Sequence, residues 1–205
     1  MNKILDFFWG CKIAVAAFSS LIKIKRVSNI DFIYVKYSPK SLGHDTSRSL
    51  DLGCGPIPSN KFHAHQSFGV DLIENDELGI KKADLILEPI PFQEKSMDYI
   101  TAYDFLEHIP RLIYCPERRA AFVEMMNSIW RTLKPGGYFL SYTPVYPFSP
   151  SFRDPTHVNI ITSETFSLYF DDTHQWAKMY GFEGAFMICE EFRVQSHLVT
   201  LMKKV

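Results

Sequence analysis

Residues 49–55 read Ser-Leu-Asp-Leu-Gly-Cys-Gly, a short apolar run that ends in a glycine turn. Runs of this length that are bounded by glycine are typical of β-strands. Glycine has no Cβ, so Gly53 and Gly55 let the backbone turn tightly and approach a ligand closely. The stretch therefore predicts a buried strand whose carboxyl end leads into a binding turn.

Four more apolar runs follow along the chain, and we predict each of them to be a strand: residues 68–72, 83–87, 97–102 and 138–142. Apolar residues recur at three- and four-residue spacing over 116–133, which predicts a long amphipathic helix. The Pro and Gly residues of 134–137 then end this helix. Strands separated by crossover segments predict a doubly wound, mostly parallel α/β sheet with helices on both faces. In such a sheet, ligands bind beyond the carboxyl ends of the strands.

Asp71 ends the second predicted strand. An acid about twenty residues after a glycine turn is placed to accept hydrogen bonds from a ribose diol. A helix N-cap or a surface charge is the structural alternative. A dinucleotide fits less well, because Pro58 stands where that motif has its third glycine, and Pro56 and Pro58 remove two amide donors. The turn suits a nucleoside-linked amino acid better.

Five successive motifs resemble those of the class I S-adenosylmethionine-dependent methyltransferases. They are LDLGCG at 50–55, GVDL at 69–72, ADLILEPIPF at 83–92, MDYITAYDFLEHI at 97–109 and LKPGGYF at 133–139. The resemblance covers residues 48–143, and it departs from the family at 56–58, where a third glycine is often found. It implies a Rossmann-like methyltransferase sheet of the seven-stranded type and an S-adenosylmethionine cofactor.

The texture of the sequence suggests a division of the chain, and the resemblance implies a set of cofactor-binding residues. An N-terminal helical or lid segment over 1–47 would precede a methyltransferase domain over 48–205. This domain would have its cofactor half at 48–143 and its acceptor side and C-terminal strands at 144–205. The residues implied to bind the cofactor are Asp51 in the first motif, Gly53, Cys54 and Gly55 at the methionine part, Asp71 at the ribose, Leu72 at the adenine, Asp84 and Leu85 at the adenine edge, and Tyr103 and Asp104 at the sulfonium end. An aromatic wall and a helix cap are the structural alternatives for the last two.

Two places offer a group that could take a proton from a hydroxyl acceptor. His108 follows the fourth predicted strand, and His157 lies in a loop after the fifth, with Asp154 placed to orient it. In the same loop, Arg153 could hold an anionic acceptor and Tyr146 could stack on a sugar ring. The alternative is that Asp154 starts a turn and His157 is a packed histidine. No tight group of histidines and carboxylates stands out along the sequence, so we expect no metal.

Residues 142–159, YTPVYPFSPSFRDPTHVN, together with TSETF at 162–166 and YF at 169–170, resemble a methyltransferase subgroup associated with bacterial surface polysaccharides. This resemblance implies O-methylation of a sugar hydroxyl in surface polysaccharide biosynthesis. Two alternatives stay open: methylation of a small hydrophobic metabolite of the quinone or fatty acid type, and a cofactor-binding module without turnover.

The first 26 residues predict a helix that lies on another surface. Their longest apolar stretch, 13–18, is too short to span a bilayer, and the basic residues Lys23, Lys25 and Arg26 follow it. The helix could pack on the domain itself, on a second copy or on an anionic membrane surface. We therefore expect a cytoplasmic protein, either free or peripheral to the inner face of the membrane, and either a monomer or a homodimer.

Composition narrows the class of partner. The 205 residues include 22 Lys and Arg against 23 Asp and Glu, which gives a net charge of −1. A nucleic-acid-binding protein usually has a basic excess, so no nucleic-acid partner is expected. The four cysteines are far apart and form no CxxC pair, which argues against a structural zinc site or a disulfide framework. The expected partner is a small-molecule or glycan acceptor.

Overall fold

The computed structural model of this chain describes residues 8–12, 15, 24–114 and 116–205. Ten strands lie within these residues: β1 Arg26–Val27, β2 Arg48–Leu52, β3 Gln66–Asp71, β4 Ile80–Lys82, β5 Met97–Tyr103, β6 Ile113–Tyr114, β7 Arg118–Arg119, β8 Leu133–Pro144, β9 Phe186–Val194 and β10 His197–Lys204. The α-helices described after residue 24 are α1 Asp31–Lys36, α2 Pro39–Leu42, α3 Ala121–Thr132, α4 Pro150–Arg153 and α5 Thr165–Tyr169.

Eight strands form one sheet in the order β1-β9-β10-β8-β5-β2-β3-β4. The pairs from β4 through β8 are parallel, whereas β10 is antiparallel to both β8 and β9. The chain runs outward from β2 to β3 and β4 and then returns to β5 on the other side of β2. The strand order therefore reverses between β2 and β5, and this confirms the predicted doubly wound, mostly parallel sheet.

Helices cover opposite faces of this sheet. On one face, α3 buries Phe122, Met126 and Ile129 in the same core as Phe139 of β8. On the other face, α1 buries Ile33 with Leu140 of β8. Successive residues of a strand point to opposite faces, so these two cores lie on either side of β8. The central strands are buried on both faces, which explains their continuous apolar runs.

The N-terminal segment is described only in part. Residues 8–12 are helical and exposed, and most of the helix predicted within 1–26 lies outside the described residues. The 31–42 part of the predicted lid segment packs on the sheet through α1 and α2. Its role as a lid stays a prediction. Among the described residues, we find no helix that is both long enough and apolar enough to cross a membrane.

Three predicted element boundaries are wrong. The third strand is Ile80–Lys82 rather than 83–87, because the Asp84 carboxylate accepts a hydrogen bond from the amide of Ile86 and makes a local turn. The helix predicted over 116–133 begins only at Ala121, since β7 pairs with β6 just before it. Residues 134–137 belong to β8 rather than preceding the fifth strand, and Gly136 has a φ of +76° there.

The crossovers next to the glycine turn are irregular. The described segments 53–65 and 72–79 contain no α-helix, and a 3-10 turn at Asp76–Leu78 is their regular element. Pro56 and Pro58 each lack the amide that a helical turn needs, which accounts for the irregular first crossover.

Candidate functional site

The glycine turn after β2 is tied to the end of β3. Gly53 has a φ of +63° and donates from its amide to the carbonyl of Val70 at 2.9 Å. Gly55 has a φ of +62° and donates to Oδ2 of Asp71 at 2.7 Å. Both residues have left-handed backbone conformations, which glycine adopts more readily than any other residue. The turn thus joins the first two predicted motifs at the carboxyl edge of the sheet.

Gly53 and Gly55 offer a matched pair of substitutions. A Cβ at Gly53 would lie 2.4 Å from Cδ2 of Phe105, whereas among the described residues nothing lies within 4 Å of a Cβ at Gly55. Gly55→Ala should cost about 1–2 kcal/mol from backbone strain alone. Gly53→Ala should cost about 1–3 kcal/mol more, because Phe105 must move. Urea unfolding of the two variants measures this difference, and equal losses would contradict the contact with Phe105.

Asp51 lies beneath the turn and is 4% exposed. Its carboxylate accepts hydrogen bonds from Oγ1 of Thr101 at 2.6 Å and from the amide of Ser59 at 2.8 Å. Burial raises the pKa of Asp51 to about 6, because water is removed from its charged form. This carboxylate borders a cavity of about 310 Å³, whose lining residues are Asp51, Gly53, Cys54, Ile57, Ser59, Lys61 and Tyr103.

Tyr103 forms a wall of this cavity and is held by α1. Its hydroxyl lies 2.9 Å from the hydroxyl of Tyr34, and burial raises the pKa of Tyr103. Tyr34 also packs edge-on against Phe62, with ring centroids 5.4 Å apart. The sequence analysis missed Tyr34, because it belongs to no motif and its contact with Tyr103 is made only in the folded chain.

Asp71 and Asp84 meet at the same edge of the sheet. The amide of Ala83 donates to the carbonyl of Asp71 at 3.0 Å, so the chain after β4 begins beside the end of β3. Leu72 is exposed and its side chain is available to a planar ring. Leu85, in contrast, is buried in the core. A contact of Leu85 with the adenine edge would therefore be made by its backbone, and this role stays a prediction.

Asp104 follows β5 in a strained conformation, with a φ of +46°. Its amide donates to the carbonyl of Tyr142 at 2.9 Å, and Oδ1 lies 3.0 Å from Nε2 of His197. The His197 ring stacks on Tyr142 with centroids 4.5 Å apart. The structure therefore places His197 beside Asp104, one of the predicted cofactor-binding residues. No local signal in the sequence marks His197, which comes from the antiparallel strand β10.

The structure brings the two candidate histidines together. The rings of His108 and His157 meet edge to face with centroids 4.8 Å apart. Nδ1 of His108 lies 3.0 Å from Oγ1 of Thr156, and Nδ1 of His157 lies 2.9 Å from the carbonyl of Pro150. Backbone and side-chain oxygens thus fix the orientation of both rings.

Asp154 makes no hydrogen bond to His157, so its role in orienting this ring stays a prediction. Oδ2 of Asp154 lies 3.9 Å from Nε2 of His157, which is too long for a hydrogen bond. Oδ1 instead accepts from the amide and the hydroxyl of Thr156, at 2.8 and 2.6 Å. These bonds lower the pKa of Asp154. Asp154 starts a turn, and Thr156 links its carboxylate to Nδ1 of His108.

Glu107 completes the group around the two histidines. It is 1% exposed, and Oε2 accepts from Oγ1 of Thr143 at 2.7 Å. One ligand atom from each of Glu107, His108 and His157 lies within 4.8 Å of the others. The expectation that histidines and carboxylates form no tight group is therefore wrong, because distant segments of the chain meet here.

The predicted acceptor residues lie near an open surface. The Tyr146 ring packs edge-on against Phe152 with centroids 6.1 Å apart, and Arg153 is exposed. A separate groove of about 530 Å³ is lined by aromatic, aliphatic and charged residues: Arg111, Leu112, Arg118, Ala120, Phe122, Val123, Thr162, Glu164, Thr165, Leu168, Tyr169, Phe170, Trp176 and Tyr180. Arg111 of this groove donates to Oδ1 of Asn159 at 2.9 Å, close along the chain to His157.

Sequence comparison finds similarity to methyltransferases. A family model described as a methyltransferase domain matches residues 50–141. A botryococcene C-methyltransferase from Botryococcus braunii is 30% identical over 131 residues. This match covers 56% of the present chain and 32% of that protein, so the chain spans about a third of the length of its relative.

Solved structures share the fold. A SAM dependent methyltransferase from Archaeoglobus fulgidus is 16% identical with a TM-score of 0.51, over 85% of this chain and 94% of that one. The 1,6-didemethyltoxoflavin-N1-methyltransferase from Burkholderia thailandensis, solved with S-adenosylhomocysteine, is 15% identical with a TM-score of 0.53, over 85% and 78%. The chain therefore has the Rossmann-like S-adenosylmethionine-dependent methyltransferase fold, and its comparisons support S-adenosylmethionine as the cofactor.

Proposed function

We propose that this protein transfers a methyl group from S-adenosylmethionine to an acceptor. The observation that carries the proposal is the cradle at the point where the strand order reverses. One cavity lies there, lined by Gly53 and by the buried carboxylate of Asp51. Gly55, which like Gly53 has a positive φ, and Asp71 at the end of β3 lie next to it along the glycine turn. Ligands of doubly wound sheets bind at this point.

The residues of the cradle fit the parts of this cofactor. Gly53 and Gly55 leave room for the methionine portion, and the Asp51 carboxylate suits its ammonium group. The carboxylate of Asp71 suits the ribose diol, and exposed Leu72 suits one face of the adenine. When bound, the cofactor supplies a methyl group on a positively charged sulfur. The protein then needs to align the acceptor, exclude water and remove a proton where the acceptor carries one.

Cofactor affinity should fall at acidic pH because of Asp51. With a pKa of about 6, its carboxylate is charged at pH 7.5 and protonated at pH 5, where it no longer attracts an ammonium group. We expect the Kd for S-adenosylmethionine to rise about tenfold between these two pH values. Calorimetry at both pH values measures it. In Asp51→Asn the side chain is neutral throughout, so affinity should be low at both; a pH dependence that persists in this variant contradicts the assignment.

For the acceptor, we propose a hydroxyl of a sugar in surface polysaccharide biosynthesis. Exposed Arg153 and the pair of Tyr146 and Phe152 support this acceptor, because guanidinium groups bind anionic sugar substituents and aromatic faces pack on sugar rings. The His108 and His157 pair provides ring nitrogens that could take the hydroxyl proton.

A second acceptor class is favoured by one observation. The C-methyltransferase to which this chain is similar is named for botryococcene and for transfer to carbon. The groove beside Arg111 carries several apolar and aromatic side chains that would bind a hydrophobic metabolite. Transfer to carbon or to nitrogen would use the same cofactor cradle with a different acceptor.

Titration of S-adenosylmethionine and S-adenosylhomocysteine into the folded protein tests the proposal. Binding of both, followed by radiolabelled methyl transfer to sugar-nucleotide or lipid-linked sugar acceptors, supports the sugar hydroxyl. Transfer only to quinone or fatty acid acceptors supports the second class. Binding without transfer to any acceptor supports a cofactor-binding module. If neither compound binds, the proposal fails.

A further inference from the structure

We propose that Glu107, His108 and His157 form a binding site for a divalent transition-metal ion of the zinc type. Their ligand atoms lie within 4.8 Å of one another. Two imidazoles and one carboxylate are a known protein ligand set for zinc, with further positions left for water or substrate. The site does not depend on the proposed methyl transfer, because it uses none of the residues of the cofactor cradle.

The carboxylate of Glu107 presents an oxygen that lacks a partner. Oε2 accepts from Thr143, but Oε1 is buried and has no hydrogen-bond partner among the residues that the structure describes. A buried carboxylate oxygen without a donor is costly, and bound cations are one way in which proteins compensate such groups. This orphaned atom is the observation that distinguishes the cluster from an ordinary group of polar side chains.

The hydrogen bonds around the two histidines leave the right nitrogens for a metal. Nδ1 of His157 faces the carbonyl of Pro150, so it must carry the proton. The hydroxyl of Thr156 donates to Asp154, so it can only accept from Nδ1 of His108. In both neutral rings Nε2 therefore carries the lone pair. Metal-binding histidines are oriented in this way by an outer hydrogen bond on the other ring nitrogen.

Asp154 adds negative charge at the same place. Its Oδ2 lies 3.9 Å from Nε2 of His157, and in the neutral ring both atoms are acceptors. A cation bound at His157 would therefore face a second carboxylate. Tetrahedral ligands at zinc distances lie about 3.4 Å apart, so the three ligand atoms need to close by at most about 1.4 Å. Small rotations of the side chains supply this movement.

The choice of ion follows from the donor atoms. Magnesium and calcium prefer oxygen ligands, whereas two imidazole nitrogens with one carboxylate suit zinc and its neighbours. If the protein transfers methyl groups as proposed, an ion at this site would also bind the hydroxyl oxygen of the acceptor and lower the pKa of that hydroxyl group. The two Nε2 atoms would then act as ligands rather than as direct bases.

Zinc titration of the untagged full chain, stripped with a chelator and free of cofactor, tests the site. Calorimetry should show about one Zn²⁺ bound per chain and no comparable binding of Mg²⁺. His108→Ala and His157→Ala should each weaken Zn²⁺ binding at least about tenfold, and Thr156→Val should weaken it about 10- to 100-fold. His44→Ala, which removes an exposed histidine elsewhere, should leave it unchanged.

Cobalt gives a second readout that does not need activity. Co²⁺ added to the stripped protein should produce visible absorption typical of nitrogen and oxygen ligands, and Glu107→Gln should reduce it. Circular dichroism checks that each variant is folded, and His108→Ala, at a half-buried position, serves if the buried Glu107 variant unfolds. If the folded wild-type chain binds no Zn²⁺, or the two histidine variants bind it as tightly as the wild type, the site is refuted. Neither result alters the test of S-adenosylmethionine binding.

Discussion

Asp71→Ala is expected to weaken the binding of S-adenosylmethionine by about 10- to 100-fold. A hydrogen bond to a charged group contributes about 1.5–3 kcal/mol, and the variant loses at least one such bond to the ribose. The Asp71 carboxylate also accepts from the amides of Gly55 and Leu72, both at 2.7 Å. Its removal therefore loosens the glycine turn as well as the ribose site, so we expect the larger end of this range.

Calorimetry with the cofactor and with S-adenosylhomocysteine measures the effect. Asp71→Asn keeps the shape of the side chain and one acceptor oxygen, so its loss should be smaller than that of the alanine variant. Asp45→Ala, at an exposed position before β2, is the matched control and should bind as the wild type does. An unchanged Kd in folded Asp71→Ala would show that the ribose lies elsewhere and would remove the central residue of the proposed cradle.

His157→Ala and His108→Ala are expected to lower kcat by about 100- to 10,000-fold, the usual contribution of a positioned acid or base. Cofactor affinity should stay within about twofold of the wild type, because neither ring borders the cavity at Asp51. Single-turnover methyl transfer together with calorimetry separates the two quantities.

His44→Ala is the control for removing an exposed histidine, and it should keep full activity. Treating the wild-type protein with a chelator distinguishes the two roles proposed for His108 and His157, which are direct proton acceptance and metal binding. If a histidine takes the proton directly, the rate of methyl transfer should not change. If it acts through a bound ion, the rate should fall and should return when Zn²⁺ is added. Full activity in both histidine variants would mean that alignment of the acceptor alone carries the reaction.

The strands and the glycine turn of the first two motifs could be predicted from the sequence because their signals are local. A glycine with positive φ, an apolar strand and an acid at the strand end are each written in a few consecutive residues, as at 50–55 and 69–72. Leu85 shows the limit of this approach. Its motif was recognised, but the burial of its side chain follows from how the turn after β4 packs on the core.

By itself, the sequence determined the mostly parallel character of the central sheet and the glycine turn after its first motif, since strand patterns and glycine turns depend on neighbouring residues. Only the tertiary structure decided the contacts made between distant segments. It brought His197 of β10 to Asp104, Tyr34 of α1 to Tyr103, and the loop with His157 to Glu107. It also assigned Asp154 to Thr156 rather than to the histidine. Such pairings depend on how loops fold back over the sheet, and no periodicity in the chain encodes them.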